Sequence, residues 1–153
     1  MPATSPGDEQ SAAFQATVRL LAARDRTAAE LEQALEKKGH PEGARRWALA
    51  EARRLGYLDE GRAGAVLARR WLQEGRPVAA VAARLVEKGL APALAEAVAA
   101  SEAEAAGHSD EAAARRLLAA RRLAGPRGAR LLASRGFSED LIGRLLGLEA
   151  GGP

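Results

Sequence analysis

Cysteine is absent from the 153 residues. No disulfide and no thiolate metal site can form, and a reducing cytosol is compatible with the chain. Aromatic residues are scarce, two Trp, two Phe and one Tyr, and β-branched runs hardly occur, so strands have little to be built from. No apolar run reaches membrane length, so no membrane association is expected. Pro2 to Gln10 carries neither a basic n-region nor an apolar h-region. It does not read as a signal peptide, and residues 1–13 are expected to form a short disordered tail of a cytoplasmic protein.

What is present is Ala, Leu, Arg and Glu, the strong helix formers, and the composition predicts an all-α fold. The net charge is +3, but it is uneven. Residues 14–58 carry nine Lys/Arg against six Asp/Glu, 59–106 six against seven, and 107–153 eight against five. The outer thirds are basic and the middle near neutral, a distribution suited to a polyanion or an acidic protein groove. A solvated, arginine-rich helical surface would look the same.

One stretch recurs. Leu35-Glu36-Lys37-Lys38-Gly39-His40 returns as Leu85-Val86-Glu87-Lys88-Gly89-Leu90 and as Leu132-Ala133-Ser134-Arg135-Gly136-Phe137. A leucine, a base and then glycine is how a helix ends: glycine takes the left-handed position and the base faces the negative end of the helix dipole. The glycines stand fifty and then forty-seven positions apart, which predicts a repeated unit.

Apolar spacing and caps predict nine helices in three sets of three. The first runs from Phe14 to Arg24, with Phe14, Val18 and Leu21 on one face. Thr27-Ala28-Ala29-Glu30 is a capping box opening the second helix, which buries Leu31 and Leu35. Pro41 opens the third, with Ala44, Ala48, Ala52 and Leu55 inward, and Trp47 is either a core anchor or a half-exposed contact. Asp59 caps the fourth, with Ala63, Val66, Leu67 and Trp71 in an apolar stripe. Pro77 opens the fifth, residues 78–88, burying Val81 and Leu85. Pro92 opens the sixth, with Leu94 and Val98 inward. Ser109-Asp110-Glu111 caps the seventh, whose core is Leu117 and Leu118 and whose outer face is Arg115, Arg116, Arg121 and Arg122. Gly125-Pro126 separates it from the eighth, 127–135, and Ser138 opens the ninth, with Leu141, Leu145 and Ile142 buried. The repeats are expected at 14–58, 59–106 and 107–149, with 150–153 frayed. Units this small must stack to bury a core, giving an elongated curved array of three tandem three-helix repeats.

No catalytic constellation appears. His40 and His108 have no partner at i+4 for a helical zinc pair. Gly125-Pro126-Arg127-Gly128 follows no strand, and its proline removes a phosphate-binding N–H. Carboxylates such as Asp59-Glu60 sit at helix starts, where the dipole explains them. The chain reads as a binding protein, not an enzyme, with no cofactor and no metal.

The run from Arg26 through Thr27-Ala28-Ala29-Glu30-Leu31 to Gly39, followed by Leu55-Gly56-Tyr57-Leu58-Asp59-Glu60 and Arg62, resembles the N-terminal half of the RecX family of bacterial recombinase regulators. Glu60 stands where the family carries a second Asp, and Ala63-Gly64 replaces an aromatic-Ala pair. The Lys88-Gly89 and Arg135-Gly136 stops continue the family's repeats, so that the resemblance spans 14–148. It implies a cytoplasmic, monomeric crescent of helical repeats that lies in the groove of the RecA filament on single-stranded DNA. There it blocks filament extension or promotes disassembly, and so inhibits ATP hydrolysis and strand exchange; weak direct DNA binding would accompany this. The family offers basic surface rather than catalytic residues. Candidates are Arg24, Arg26, Lys37 and Lys38 in the first repeat; Arg69, Arg70, Arg84 and Lys88 in the second; and Arg115, Arg121, Arg122, Arg127, Arg130 and Arg135 in the third. Arg115 and Arg122, seven apart, are expected to share a helix face. Arg62 is expected in an intramolecular salt bridge. A free-standing DNA-binding helical protein and a helical-repeat adaptor for another partner are the alternatives.

Overall fold

The computed structural model describes residues 5–147, and among them every regular element is helical. In chain order these are α1 (Pro6–Ala23), α2 (Ala28–Lys37), α3 (Glu42–Arg54), α4 (Glu60–Gln73), α5 (Val78–Glu87), α6 (Pro92–Ala106), α7 (Asp110–Arg121), α8 (Gly125–Ser134) and α9 (Glu139–Leu146). The middle helix of each set, α2, α5 and α8, is ten residues long.

α1 starts well before Phe14. The Ser5 side chain accepts from the Asp8 N–H, Pro6 opens the first turn, and Asp8 and Glu9 face the positive end of the dipole. Residues 6–13, expected in the tail, are therefore helical: the Ser-Pro pair that looks like a disordered leader is a cap followed by a proline at the helix start. Ala13 and Ala16 are buried on α1. Of the two terminal segments expected at 1–13 and 150–153, residues 1–4 and 150–153 lie outside the described residues.

Two compact units are present. One ends at Gly64 and takes in Glu87–Ala91; the other holds Ala65–Val86 and the chain from Pro92 on. These boundaries pass through α4 and near the end of α5, rather than between sets of three helices. In the first unit α1 packs on α3 and α2, and α2 on α3. Ala44, Ala48 and Ala52 form the inward stripe of α3, as their i, i+4 spacing predicts, against Ala13, Leu31 and Leu58. Small side chains let α1 and α3 approach closely. Phe14 fills the space between them, edge-on to Trp47 at 6.1 Å and tilted on Tyr57 at 6.5 Å. Trp47 is 40% exposed, so it is the half-exposed contact. In the second unit Trp71, Leu72, Val81 and Leu85 are buried, and Leu132, Phe137, Leu141 and Ile142 form a cluster with Ala113 and Ala114 of α7. Leu117, Leu118 and Leu145 border that cluster, partly exposed.

Three expected core positions face solvent: Leu55 (45% exposed), Val66 (55%) and Leu94 (36%). Leu55 is the C-cap of α3, past the point where helical spacing governs direction. On α4 the burial falls on Ala63, Ala68, Trp71 and Leu72, and on α6 on Ala95, Ala99 and Ala103, so a neighbouring stripe, all alanine on α6, marks the packed face.

The recurrent stop is a capping motif at two of its copies. The His40 N–H donates to Leu35 O at 3.1 Å and the Gly39 N–H to Glu36 O at 2.9 Å; Phe137 and Gly136 repeat both bonds, to Leu132 O and Ala133 O, at 3.1 Å each. These are the six-to-one and five-to-two bonds of a Schellman ending. The three glycines have φ of +88°, +107° and +90°, where a side chain is strained. At the later two a second demand is added. A Cβ on Gly89 would lie 2.5 Å from the Ala29 Cβ of α2, and one on Gly136 3.1 Å from the Ala80 Cβ of α5. The stop thus also brings its turn against an earlier helix.

Candidate partner-binding surface

The capping chemistry places the candidate cations before any partner is considered. Thr27 is fully buried; its side chain accepts from the Glu30 N–H at 3.2 Å, and the Glu30 carboxylate reaches back to the Thr27 N–H, completing the capping box. Arg24 is drawn into this corner by an ion pair to Glu30 at 3.1 Å. The Arg26 Nε donates to Leu20 O at 3.1 Å and so satisfies an end carbonyl of α1. In the same unit Arg62 holds both Asp25 carboxylate oxygens at 3.0 Å through its Nε, the expected intramolecular bridge.

A pair of long-range contacts recurs with the repeat. The Ala28 N–H, at the start of α2, donates to Glu60 Oε1 at 3.0 Å, and the Val78 N–H, at the start of α5, donates to Asp110 Oδ1 at 3.0 Å. Each carboxylate is the first residue of a later helix, α4 or α7. It therefore serves two helix N-termini, its own by charge and an earlier one by hydrogen bond. His108 Nε2 lies 2.8 Å from the same Asp110 oxygen, its side chain 4% exposed. The charge of Glu60 and Asp110 was readable as a dipole partner. Their second role has no local signal; only the matching fifty-residue offsets, Ala28 to Val78 and Glu60 to Asp110, point to it.

Of the remaining candidates, four more are engaged, three of them in ion pairs. Arg69 pairs with Glu102 at 3.2 Å, Arg70 with Glu74 at 3.9 Å, and Arg115 with Glu111 at 2.7 Å. Arg84 stacks over the buried Trp71 ring at 4.8 Å, a cation–π contact that the sequence did not signal. Outside the candidate set, Arg54 hydrogen-bonds Glu51, holding that carboxyl below its ordinary range and its own guanidinium above. Glu32 raises Arg45 in the same way.

Lys37, Lys38, Lys88, Arg121, Arg122, Arg127, Arg130 and Arg135 are exposed and form no ion pair among the described residues. The structure therefore divides the candidates. The engaged ones are fixed by internal contacts. The free ones are most numerous from the end of α7 through α8, where Arg116 joins them. Arg127 and Arg130, three apart on α8, are neighbours on its surface.

Arg122 departs from expectation. α7 stops at Arg121, and Arg122 takes φ 53°, ψ 45°. Its N–H donates to Ala119 O, and that of Leu123 to Leu118 O at 3.0 Å. Arg122 thus fills the left-handed place of a Schellman ending, past the helix, and it does not share a helical face with Arg115. Gly125 and Pro126 likewise do not separate α7 from α8: they form the first turn of α8, with Ala124 as N-cap.

No helix among the described residues is long and apolar enough to cross a membrane, and no group of His, Asp and Glu among them could hold a metal ion. Fold and surface together define a helical-repeat protein that presents cations.

Residues 13–51 match the family model described as RecX, first three-helix domain. A crystal structure of regulatory protein RecX is similar over 94% of this chain and 75% of that one, with a TM-score of 0.77 at 17% identity. The crystal structure of RecX from Lactobacillus salivarius is similar over 93% of this chain and 97% of that one, with a TM-score of 0.67 at 17% identity. Comparison with curated proteins finds no match. The chain has the fold of these RecX structures, and its residues 13–51 match that family's first three-helix domain.

Proposed function

We propose that this chain regulates a RecA recombinase in the cytoplasm by binding, as a monomer, in the groove of the RecA filament on single-stranded DNA. Bound there, it blocks filament extension or promotes disassembly, and so lowers ATP hydrolysis and strand exchange. The match of residues 13–51 to the first three-helix domain of RecX carries this reading, and the fold likeness over nearly the whole chain extends it. The surface supports it as well. Exposed cations without internal partners raise the rate and strength of association with an anionic assembly. The free cations are spread over several helices rather than massed on one recognition helix, which argues against sequence-specific groove reading.

The test compares binding to RecA-coated and to naked single-stranded DNA at the same ionic strength. Filaments are expected to bind at least about tenfold more tightly, a difference of roughly 1.4 kcal/mol. Equal affinity for both would make this a free-standing DNA-binding protein, and no binding to filaments would overturn the proposal.

A further inference from the structure

Within the second unit, the turn after α4 faces α7 and the C-cap of α8 across a cleft of about 310 Å³, lined by Gln73, Glu74, Arg76, Ala113, Arg116, Leu117 and Arg135. Three guanidinium groups and one carboxylate meet there. The carboxylate is already engaged: Glu74 lies 3.4 Å from Arg76 and 3.9 Å from Arg70. Arg116 and Arg135 have no ion pair among the described residues. For Arg135 the carbonyl end of α8 offers partial compensation. Arg116 has none on its own helix, because positions 112, 113, 119 and 120 are all alanine. A cleft in the first unit, lined by Glu32, Glu42, Arg46 and Arg53 among others, contrasts with this one. There Arg46 pairs with Glu42, and Arg53 with Glu60.

We infer that the cleft around Arg116 and Arg135 receives a carboxylate side chain of a partner protein. A guanidinium fork binds a planar carboxylate through two parallel hydrogen bonds. Ala113 and Leu117 give the cleft an apolar wall, which suits the methylene stem of Asp or Glu. A nucleic-acid strand fits less well. The lining holds no aromatic ring on which a base could stack. Glu74 and Gln73 can instead accept from peptide N–H groups. The identity of the protein as the recombinase rests on the function proposed above; the carboxylate-binding chemistry does not.

Two measurements test this. In a ¹⁵N spectrum of the full chain, hexaglutamate should shift the Arg116 and Arg135 Nε–H resonances, and should shift them more than hexathymidylate does at equal concentration and ionic strength. Unchanged resonances with the peptide, or equal or larger shifts with the oligonucleotide, would overturn the inference. Second, the double variant Arg116→Gln, Arg135→Gln, with unchanged helical circular dichroism, should lose about tenfold in affinity for RecA filaments, as expected when charged contacts are removed. Its affinity for naked single-stranded DNA should change less than about twofold, since at most a small part of the phosphate contact is lost. Filament affinity equal to wild type would sink the cleft and leave the recombinase reading standing. Peptide-induced shifts in a wild-type protein that ignores filaments would do the reverse.

Discussion

Arg122 is the non-glycine residue with positive φ among those described. The corresponding end of α4 uses Gly75 at φ +90°. A left-handed backbone costs a residue with a side chain about 1–2 kcal/mol. Arg122→Gly should therefore stabilise the fold by about 1 kcal/mol, raising Tm in a thermal melt by roughly 2–4 °C for a chain of this size. If the side chain touches the recombinase filament, the same variant should inhibit less well while being more stable; a variant both less stable and fully inhibitory would contradict both statements. Helical spacing misplaced this residue because a spacing of seven positions implies one face only while the helix continues. A glycine is a readable stop, whereas an arginine in the same conformation leaves no mark in the sequence. Thr27 is the opposite case. Its capping box was legible because both partners lie within four residues.

Helices meet through two devices that differ in how far they act along the chain. The Leu…Gly endings were readable in outline, since the bonds from His40 and Gly39 are local. What could not be read is why Gly89 has to be glycine twice over. Gly39→Ala, with open space around it, should cost about 1 kcal/mol from the backbone alone. Gly89→Ala adds a clash with Ala29 and should cost about 3 kcal/mol in urea unfolding. Adding Ala29→Gly should recover part of the loss, appearing as a favourable coupling in a double-mutant cycle; equal costs at Gly39 and Gly89 would show that the close approach is unimportant. The carboxylate latch is the longer-range device. Removing it by Glu60→Ala should cost about 1–2 kcal/mol, because the Ala28 N–H loses a charged acceptor and α4 loses a favourable charge at its start. Asp110→Ala should act in the same direction through Val78. Both partners of each latch lie 32 positions apart, beyond any motif window. The same limit explains Val66 and Leu94. Periodicity finds a stripe, but which stripe is covered depends on the neighbouring helix, and on α6 the covered one is all alanine.

Taken together, the three sets of helices do not present charge equally. The basic excess of both outer thirds was legible from residue counts, but counts do not separate free cations from engaged ones. In the first third Arg24, Arg26, Arg45, Arg53 and Arg54, and Arg62 at the start of α4, are occupied by internal partners. Toward the C-terminal end Arg116, Arg121, Arg122, Arg127, Arg130 and Arg135 remain without ion pairs among the described residues. Reversing Arg121, Arg127 and Arg130 to Glu should therefore weaken the proposed inhibition of the recombinase by about tenfold or more, whereas Arg24→Glu and Arg69→Glu should act mainly on stability. The most direct measurement is the rate of DNA-dependent ATP hydrolysis by RecA, with this protein added below one copy per RecA during filament growth. Wild type should lower the rate and the triple charge reversal should largely restore it. A rate unaffected by wild type even in excess, or equal inhibition by the reversed variant, would contradict a role for this cationic surface in restraining the filament.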